Sequence, residues 1–406
     1  MSNVQAKNKA PQIRFKGFEE KWEDGTIDKY GSFYYGRSCP KWSVSHDAPT
    51  PCIRYGEMYS KYGEKIEEVI SHTNMPTDNL RFSTGKEVLV PRVGEDPMDY
   101  AHCTWLSVPN VAIGEMISVY NTEQHPGFTA IMFNATLRYE FARRVEGFTV
   151  TNLYYDKIKE IEVAFPSISE QKKIYQLFSQ IDSLIASTQK EHDKLVTLKK
   201  CMLQKMFPKE GSLVPEIRFK GFSGDWDKKK LGEMGTVQMC KRIFKEETSD
   251  TGDVPFYKIG TFGGEPDSYI SKEKFLEYKS NYPFPKNGAI LLSASGTIGR
   301  TVVYSGKDEY FQDSNIIWFA HNDEVLDIYL KVFYETVNWN EIEGSTIKRL
   351  YNSIFLNKRI ILPKDISEQQ KIGSYFQNLD NLIFKQAEEL EKLKNVKKTL
   401  LSKMFV

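Results

Sequence analysis

No stretch of the sequence approaches the roughly 18 to 20 apolar residues that a membrane span needs, and the opening MSNVQAKNKAPQ has no apolar signal core. The expectation is a soluble, cytoplasmic protein with no membrane partner. Cysteine is sparse: Cys39, Cys52, Cys103, Cys201 and Cys240 are odd in number, scattered, and never spaced C-x-x-C. That pattern argues against a disulfide framework and against a zinc site, leaving small buried or surface thiols. The six histidines are dispersed, with no H-E-x-x-H. Neither G-x-x-x-x-G-K-[ST] nor G-x-G-x-x-G occurs, so the two common phosphate-cradling loops are missing. A strong net charge is missing as well. At +1 for 406 residues the chain has no global basic field to draw in nucleic acid, so any DNA contact has to come from local clusters.

What is present is a repeat. PQIRFKGFEEKWE at 11–23 returns as PEIRFKGFSGDWD at 215–227, with 8 of 13 positions identical at an offset of 204. A second match is longer: 169–207, from SEQKKI to QKMF, returns at 367–405 as SEQQKI to SKMF, 18 of 39 identical at an offset of 198. Between them, 24–168 and 228–366 share little beyond Pro51 with Pro255 and Gly56 with Gly260. The chain is therefore two tandem units, each a shared lead-in, a private middle and a shared tail. The unit is too large for a solenoid of 20 to 50 residue modules. This gives a first domain at 1–165, a spacer at 166–208, a second domain at 209–362 and a final spacer at 363–406, whose charges sum to −3, +3, −1 and +2.

The tails carry the apolar spacing of long helices. Ile174, Leu177, Ile181, Leu184, Leu195, Leu198 and Met202 alternate three and four apart, and Ile372, Tyr375, Leu379, Leu382, Leu393, Val396 and Leu400 keep the same frame, the seam of a coiled coil. Polar layers fall in the middle of both, at Thr188 and Glu191 and at Gln386 and Glu389. That coincidence predicts an antiparallel pair and a pseudo-two-fold chain. Ser169 and Ser367 are the expected N-caps. At about 1.5 Å per residue such a pair is a spacer of roughly 57 Å; an ordinary two-helix core element is the plainer alternative.

The private middles are expected to be compact mixed α/β (α+β) domains, with strands in KEVLVPRV (86–93), KEIEVAF (159–165), GAILLSASG (288–296), IIWFA (316–320) and RIILP (359–363), and a helix near 327–339. PKEGSLVPE (208–216) is the linker. Catalytic machinery is hard to find. EDPMDY (95–100) only faintly echoes the D-P-P-Y tetrad of adenine methyltransferases, and Asp267, Glu277 and Lys279 can be forced onto a nuclease metal motif, a three-point match that chance readily supplies in so charged a chain. What recurs is loops mixing glycine, small hydroxyls, cations and aromatics: YYGRSCPKW (34–42), CIRYG (52–56) and VPRVGED (90–96) in the first middle, and QMCKRIFK (238–245), FYKIGTFGG (256–264), SASGTIGR (293–300) and GSTIKRL (344–350) in the second. Such loops can hold phosphates and reach base edges, although one alone is more often a solvated turn.

The layout, with SEQ-K-I opening each long helix, KMF closing it, RFKGF---W leading each unit and ILLSASGTIGR inside the second, resembles the specificity subunit of type I restriction-modification enzymes over essentially the whole chain. The resemblance implies two target recognition domains, 24–165 and 228–362, each reading one half of a bipartite double-stranded DNA sequence. It implies paired helices that set the unread gap and dock two methyltransferase subunits, with restriction subunits joining through the complex. It also implies no catalysis and no cofactor in this chain: S-adenosylmethionine, ATP and magnesium would serve the partners. On that reading the candidate DNA contacts are Arg37, Lys41, Arg54 and Arg92 in the first domain, and Lys241, Arg242, Lys258, Ser295, Thr297, Arg300, Lys348 and Arg349 in the second. Two departures stand out. VLVPRVGEDP replaces the ILLSASGTIGR type of loop in the first domain, and Cys240 sits where such domains often have glycine. The rivals are a self-contained nuclease and a coiled-coil protein-binding scaffold.

Overall fold

The computed structural model describes residues 10–339 and 349–406. The chain divides into two compact units, residues 1–188 with 389–406 and residues 189–388. Two helices of 38 residues, Ile168–Lys205 and Ile366–Lys403, contribute to both.

In the first unit, two five-stranded sheets share the private middle. One runs Gly31–Tyr35, Ile117–Thr122, Glu87–Pro91, Thr104–Leu106, Lys65–Ile66; the other runs Val44–Ser45, Ser71–Thr73, Thr50–Ile53, Pro109–Ile113, Phe82–Thr84. The strand Glu87–Pro91 is buried at every position, as its unbroken apolar run requires of a strand covered on both faces. The second unit repeats the plan with fewer strands. Gly235–Gln238, Ile316–His321, Ile290–Ser293 and Thr301–Val303 form one sheet, and Tyr269–Ile270, Val254–Tyr257 and Tyr310–Phe311 another. The helix Asp327–Thr336 forms where the sequence places one, and Glu162–Phe165 and Arg359–Leu362 each close a two-stranded ribbon. No helix among the described residues is long and apolar enough to cross a membrane.

The repeated phrase RFKGF---W turns out to be a fastener. Arg14 donates two hydrogen bonds, of 2.7 and 2.8 Å, to the buried Glu170 at the start of the first long helix, and Arg218 does the same to Glu368 at the start of the second. One residue earlier, the Ile13 N–H donates to the Lys403 carbonyl at 3.0 Å and the Ile217 N–H to that of Lys205 at 2.9 Å, occupying helix-end carbonyls that have no partner within the helix. Trp22 meets Phe405 edge-on, and Trp226 meets Phe207 in the same way. The glutamine of each SEQ is buried too: Gln171 donates to the Pro166 carbonyl and Gln369 to that of Pro363. Each lead-in thus joins the first turn of one long helix to the last turn of the other.

Within each unit the two helices pair antiparallel, as expected. In the first, Asp182 meets Lys397 at 2.7 Å while Ile174 and Phe178 share a core with Met404 and Phe405. In the second, Lys199 meets Asp380 at 2.6 Å while Met206 and Phe207 share a core with Ile372 and Phe376. The expected seam holds only in part. Leu184, Leu198, Leu382 and Val396 are 38 to 53% exposed, whereas Phe178 and Phe376, which lie off the seam, are buried in the two cores. Toward its start each helix packs in the core of its own domain beside the lead-in, which selects a face of 3.6-residue period instead of a strict heptad. The caps also differ from expectation: Ser169 and Ser367 lie inside the helices. Asp365 accepts from the Ser367 N–H at 2.7 Å, and the Ser167 carbonyl accepts from Glu170 and Gln171.

Candidate nucleic-acid interface

In the second unit the suspected loops converge on one short turn, Gln312 to Asn315, between the strands Tyr310–Phe311 and Ile316–His321. Arg242 pairs with Asp313 at 2.9 Å. The Ile259 N–H, beside Lys258, donates to the Gln312 side-chain oxygen at 3.0 Å, and the Ser295 hydroxyl donates to that of Asn315 at 2.8 Å. Arg349 donates to the Ser314 carbonyl at 3.0 Å and forms a β-bridge with Ser295. Four loops that lie up to a hundred residues apart in the chain are thus set around a single polar turn. Ser314 adopts φ +55°, a left-handed conformation that costs a non-glycine residue energy unless its surroundings fix it. Gln312 and Asn315 each use the amide oxygen internally, and among the described residues their amide nitrogens have no partner. An Asn or Gln side chain reads an adenine edge through its oxygen and nitrogen together, and here the oxygens already accept within the protein.

Thr297 and Arg300 stand exposed on the hairpin loop between Ser293 and Thr301. Ser293 holds that loop shut, its hydroxyl accepting from the Arg300 N–H at 2.9 Å and donating to the Thr297 carbonyl. Lys258 is engaged with Asp267 at 2.9 Å, and Lys241 lies 4.9 Å from the centre of the Tyr282 ring. Lys348 lies outside the described residues. Cys240 is buried, and burial pushes its thiol up to about 12, so it stays protonated and unreactive at neutral pH.

The first unit uses the corresponding turn, Gly114 to Met116, between Pro109–Ile113 and Ile117–Thr122. The Arg37 N–H donates to the Ile113 carbonyl at 2.8 Å, the Gly114 N–H to the carbonyl of Ile53 beside Arg54, and the Arg92 N–H to the Met116 carbonyl at 3.2 Å. Gly36 passes so close to Gly114 that a Cβ there would sit 2.0 Å from its carbonyl oxygen. Cys240 is buried in the second unit's apolar cluster with Phe256 and Phe311. Arg37, Lys41 and Arg54 form no ion pair among the described residues. Arg92 is held differently, with its guanidinium 4.5 Å from the Tyr35 ring centre and 5.1 Å from that of Tyr154. VPRVGED and SASGTIGR, unlike in sequence, occupy the same place: Val93 pairs with Asn152 as Ser295 does with Arg349.

Sequence reasoning missed the two organising turns and also Arg81, which donates to the Tyr35 carbonyl at 2.8 Å and covers the Tyr34 ring. A usable signal was there in QDSN, a polar four-residue break between two apolar runs. Residues of the enzyme-like matches have other partners. Tyr100 of EDPMDY is fully buried and donates its hydroxyl to the Thr151 carbonyl, so it cannot stack on a base. Asp267 is occupied by Lys258, and Lys279 lies over Phe275 and Phe284. Among the described residues no group of three histidines, cysteines or carboxylates could hold a metal.

The model of the type I restriction modification DNA specificity domain matches residues 107–197 and 223–395, well over half the chain. The chain belongs to this family. Both matched segments run from a private domain into a long helix and take in both turns, together with Glu170 and Glu368 but not Arg14 or Arg218. A Haemophilus influenzae protein provisionally named a type I restriction enzyme specificity subunit is 42% identical over 230 residues, 56% of this chain and 57% of that one. The MjaVIII specificity subunit of Methanocaldococcus jannaschii is 24% identical over 267 residues, 60% of this chain and 61% of its own. These matches span somewhat under two thirds of the relatives' lengths. Among solved structures, the type I restriction-modification S subunit from M. genitalium superposes with a TM-score of 0.65 at 16% identity, covering 98% of this chain and 99% of its own. A chain from a study of type I R-M complex assembly gives 0.52 at 16% identity, covering 96% and 98%. At such low identity these likenesses concern the family fold alone.

Proposed function

We propose that this chain is the sequence-reading subunit of a type I restriction-modification complex and is itself noncatalytic. Each domain reads one half of a bipartite double-stranded DNA target, and partner methyltransferase and restriction subunits carry the chemistry with their own S-adenosylmethionine, ATP and magnesium. The observation that carries this reading is the parallel convergence of cation-bearing loops on one turn in both domains, although their sequences are unrelated. Phosphate contacts would orient each domain and base-edge contacts would select the sequence. The near-neutral charge of the domains is compatible with this, because partner subunits can add phosphate contacts. The long helices are proposed to set the gap and to dock two methyltransferase subunits. Adding a turn to both would then change the number of unread base pairs and leave the half-sites alone. The test is to map methylated adenines in cells with and without this gene. A two-part motif should disappear with the gene; if no methylated site depends on it, the proposal is wrong.

A further inference from the structure

The same place in each unit offers a large aromatic ring to solvent. Trp42 is 77% exposed and Phe244 is 58% exposed. Both sit in the loop that leaves the first strand of the domain's main sheet, Gly31–Tyr35 in one unit and Gly235–Gln238 in the other. Both are at a short 3₁₀ turn, Lys41–Ser43 and Lys245–Glu247. The loops share no sequence, so the recurrence of the ring is not inherited from the repeat.

These rings are not on loose loop tips. Next to Trp42, Ser43 is buried, its hydroxyl bonded to the Pro40 carbonyl and to Thr73, and its carbonyl accepts from the Asn74 N–H at 3.0 Å. The Phe244 N–H donates to Glu247 at 2.8 Å, and Glu247 is paired with Lys274 on the helix Lys272–Asn281. The backbone is anchored on both sides while the ring is held out in water, where its apolar faces gain nothing. Cations flank both: Arg37 and Lys41 in one, Lys241, Arg242 and Lys245 in the other. Among the described residues the exposed Tyr139 has no such counterpart in the other unit. Tyr351, exposed before the helix Asn352–Asn357, is matched by Tyr154 before Tyr155–Ile158, a ring held against Arg92 and not offered to solvent. An anchored ring amid cations suits a nucleic acid duplex, where the cations meet phosphates and the ring meets bases.

Resting on the DNA-reading function proposed above, we infer that Trp42 and Phe244 are wedge residues, each inserting against a base step of its own half-site and partly unstacking it. The experiment uses the full chain purified with its methyltransferase partner and a target duplex defined by the methylation map, with 2-aminopurine placed at each step other than the methylated adenines. The wild-type complex should show enhanced probe fluorescence at one step in each half. Trp42→Ala should abolish the signal in one half only and weaken binding about tenfold. Phe244→Ala should do the same in the other half, and Trp42→Phe should retain most of the effect. The salt dependence should be unchanged in these variants, whereas Lys41→Ala should lower its slope by about one. If the wild-type complex has no preference for the mapped duplex, the DNA-reading function itself falls. If it binds with preference but the alanine variants bind and brighten the probe as it does, the wedge is overturned. Weaker binding without any probe signal in the wild type also overturns insertion, in favour of surface contact such as with a thymine methyl.

Discussion

The two units match in one set of residues and differ in another. Arg14 and Glu170 recur as Arg218 and Glu368, and Asp182 with Lys397 recurs as Asp380 with Lys199, down to the distances. The domains these fasteners serve share almost no sequence, and even the further members of each ion cluster are private: Glu64 from a loop in the first unit, Glu335 and Lys331 from a helix in the second. The frame is held constant because both helices must be gripped at both ends in the same way. In the function proposed above, the heads vary because each reads its own half of the target.

The comparison breaks most visibly at the fasteners. Replacing Glu170 by Ala leaves the Arg14 guanidinium, only 15% exposed, without its carboxylate; stability should fall by about 3 kcal/mol, and Glu368→Ala should cost about the same. Denaturant unfolding of both variants measures it, and a large inequality would show that the repeated phrase does unequal work. The helix face comes next. Phe178→Ala should lose about 3 kcal/mol by emptying a fully buried site, whereas Leu184→Ala, on the heptad but exposed, should stay within about 0.5 kcal/mol.

Arg37 makes no ion pair among the described residues, whereas Arg242 is bound to Asp313. Removing a base-reading arginine should cost about 1 to 3 kcal/mol of binding and relax one position. Arg37→Ala should therefore relax the first half-site in a methylation map. The Arg242→Ala effect should be smaller, because Asp313 already competes for that guanidinium.

The smallest effect concerns pH. Burial works against the ionised Asp380, but hydrogen bonds from Lys199 and Lys331 outweigh it and hold the carboxyl below its usual range. Its contribution is present above the ordinary carboxylate range and is lost as pH falls through the lowered value. Glu64 runs the other way: burial, helped by Asp182, outweighs Lys397 and raises it, so its cost is borne at neutral pH and relieved on acidification. Asp380→Asn should therefore destabilise more than Glu64→Gln at pH 7, and the gap measured by urea midpoints should close toward pH 3.

Much of this was legible in the sequence, and the reasons are physical. A repeat announces itself by identity, and the 38-residue helix Ile168–Lys205 by periodicity without glycine or proline, the second helix carrying only Gly373 near its start. Which face of the helix is buried was less legible, because Phe178 and Leu177 are equally apolar and only the domain packed against them chooses between them. The convergence of the loops was not legible either. Gln312, Asp313 and Asn315 read as an ordinary polar turn, and their role comes from partners as distant in sequence as Arg242.

The most direct test of the central claim is to exchange residues 24–165 for the matching domain of a relative and to map methylated adenines in cells that carry the hybrid with its partners. The account predicts that one half of the motif changes while the other half and the gap stay as they were. A change in both halves, or in neither, would contradict it.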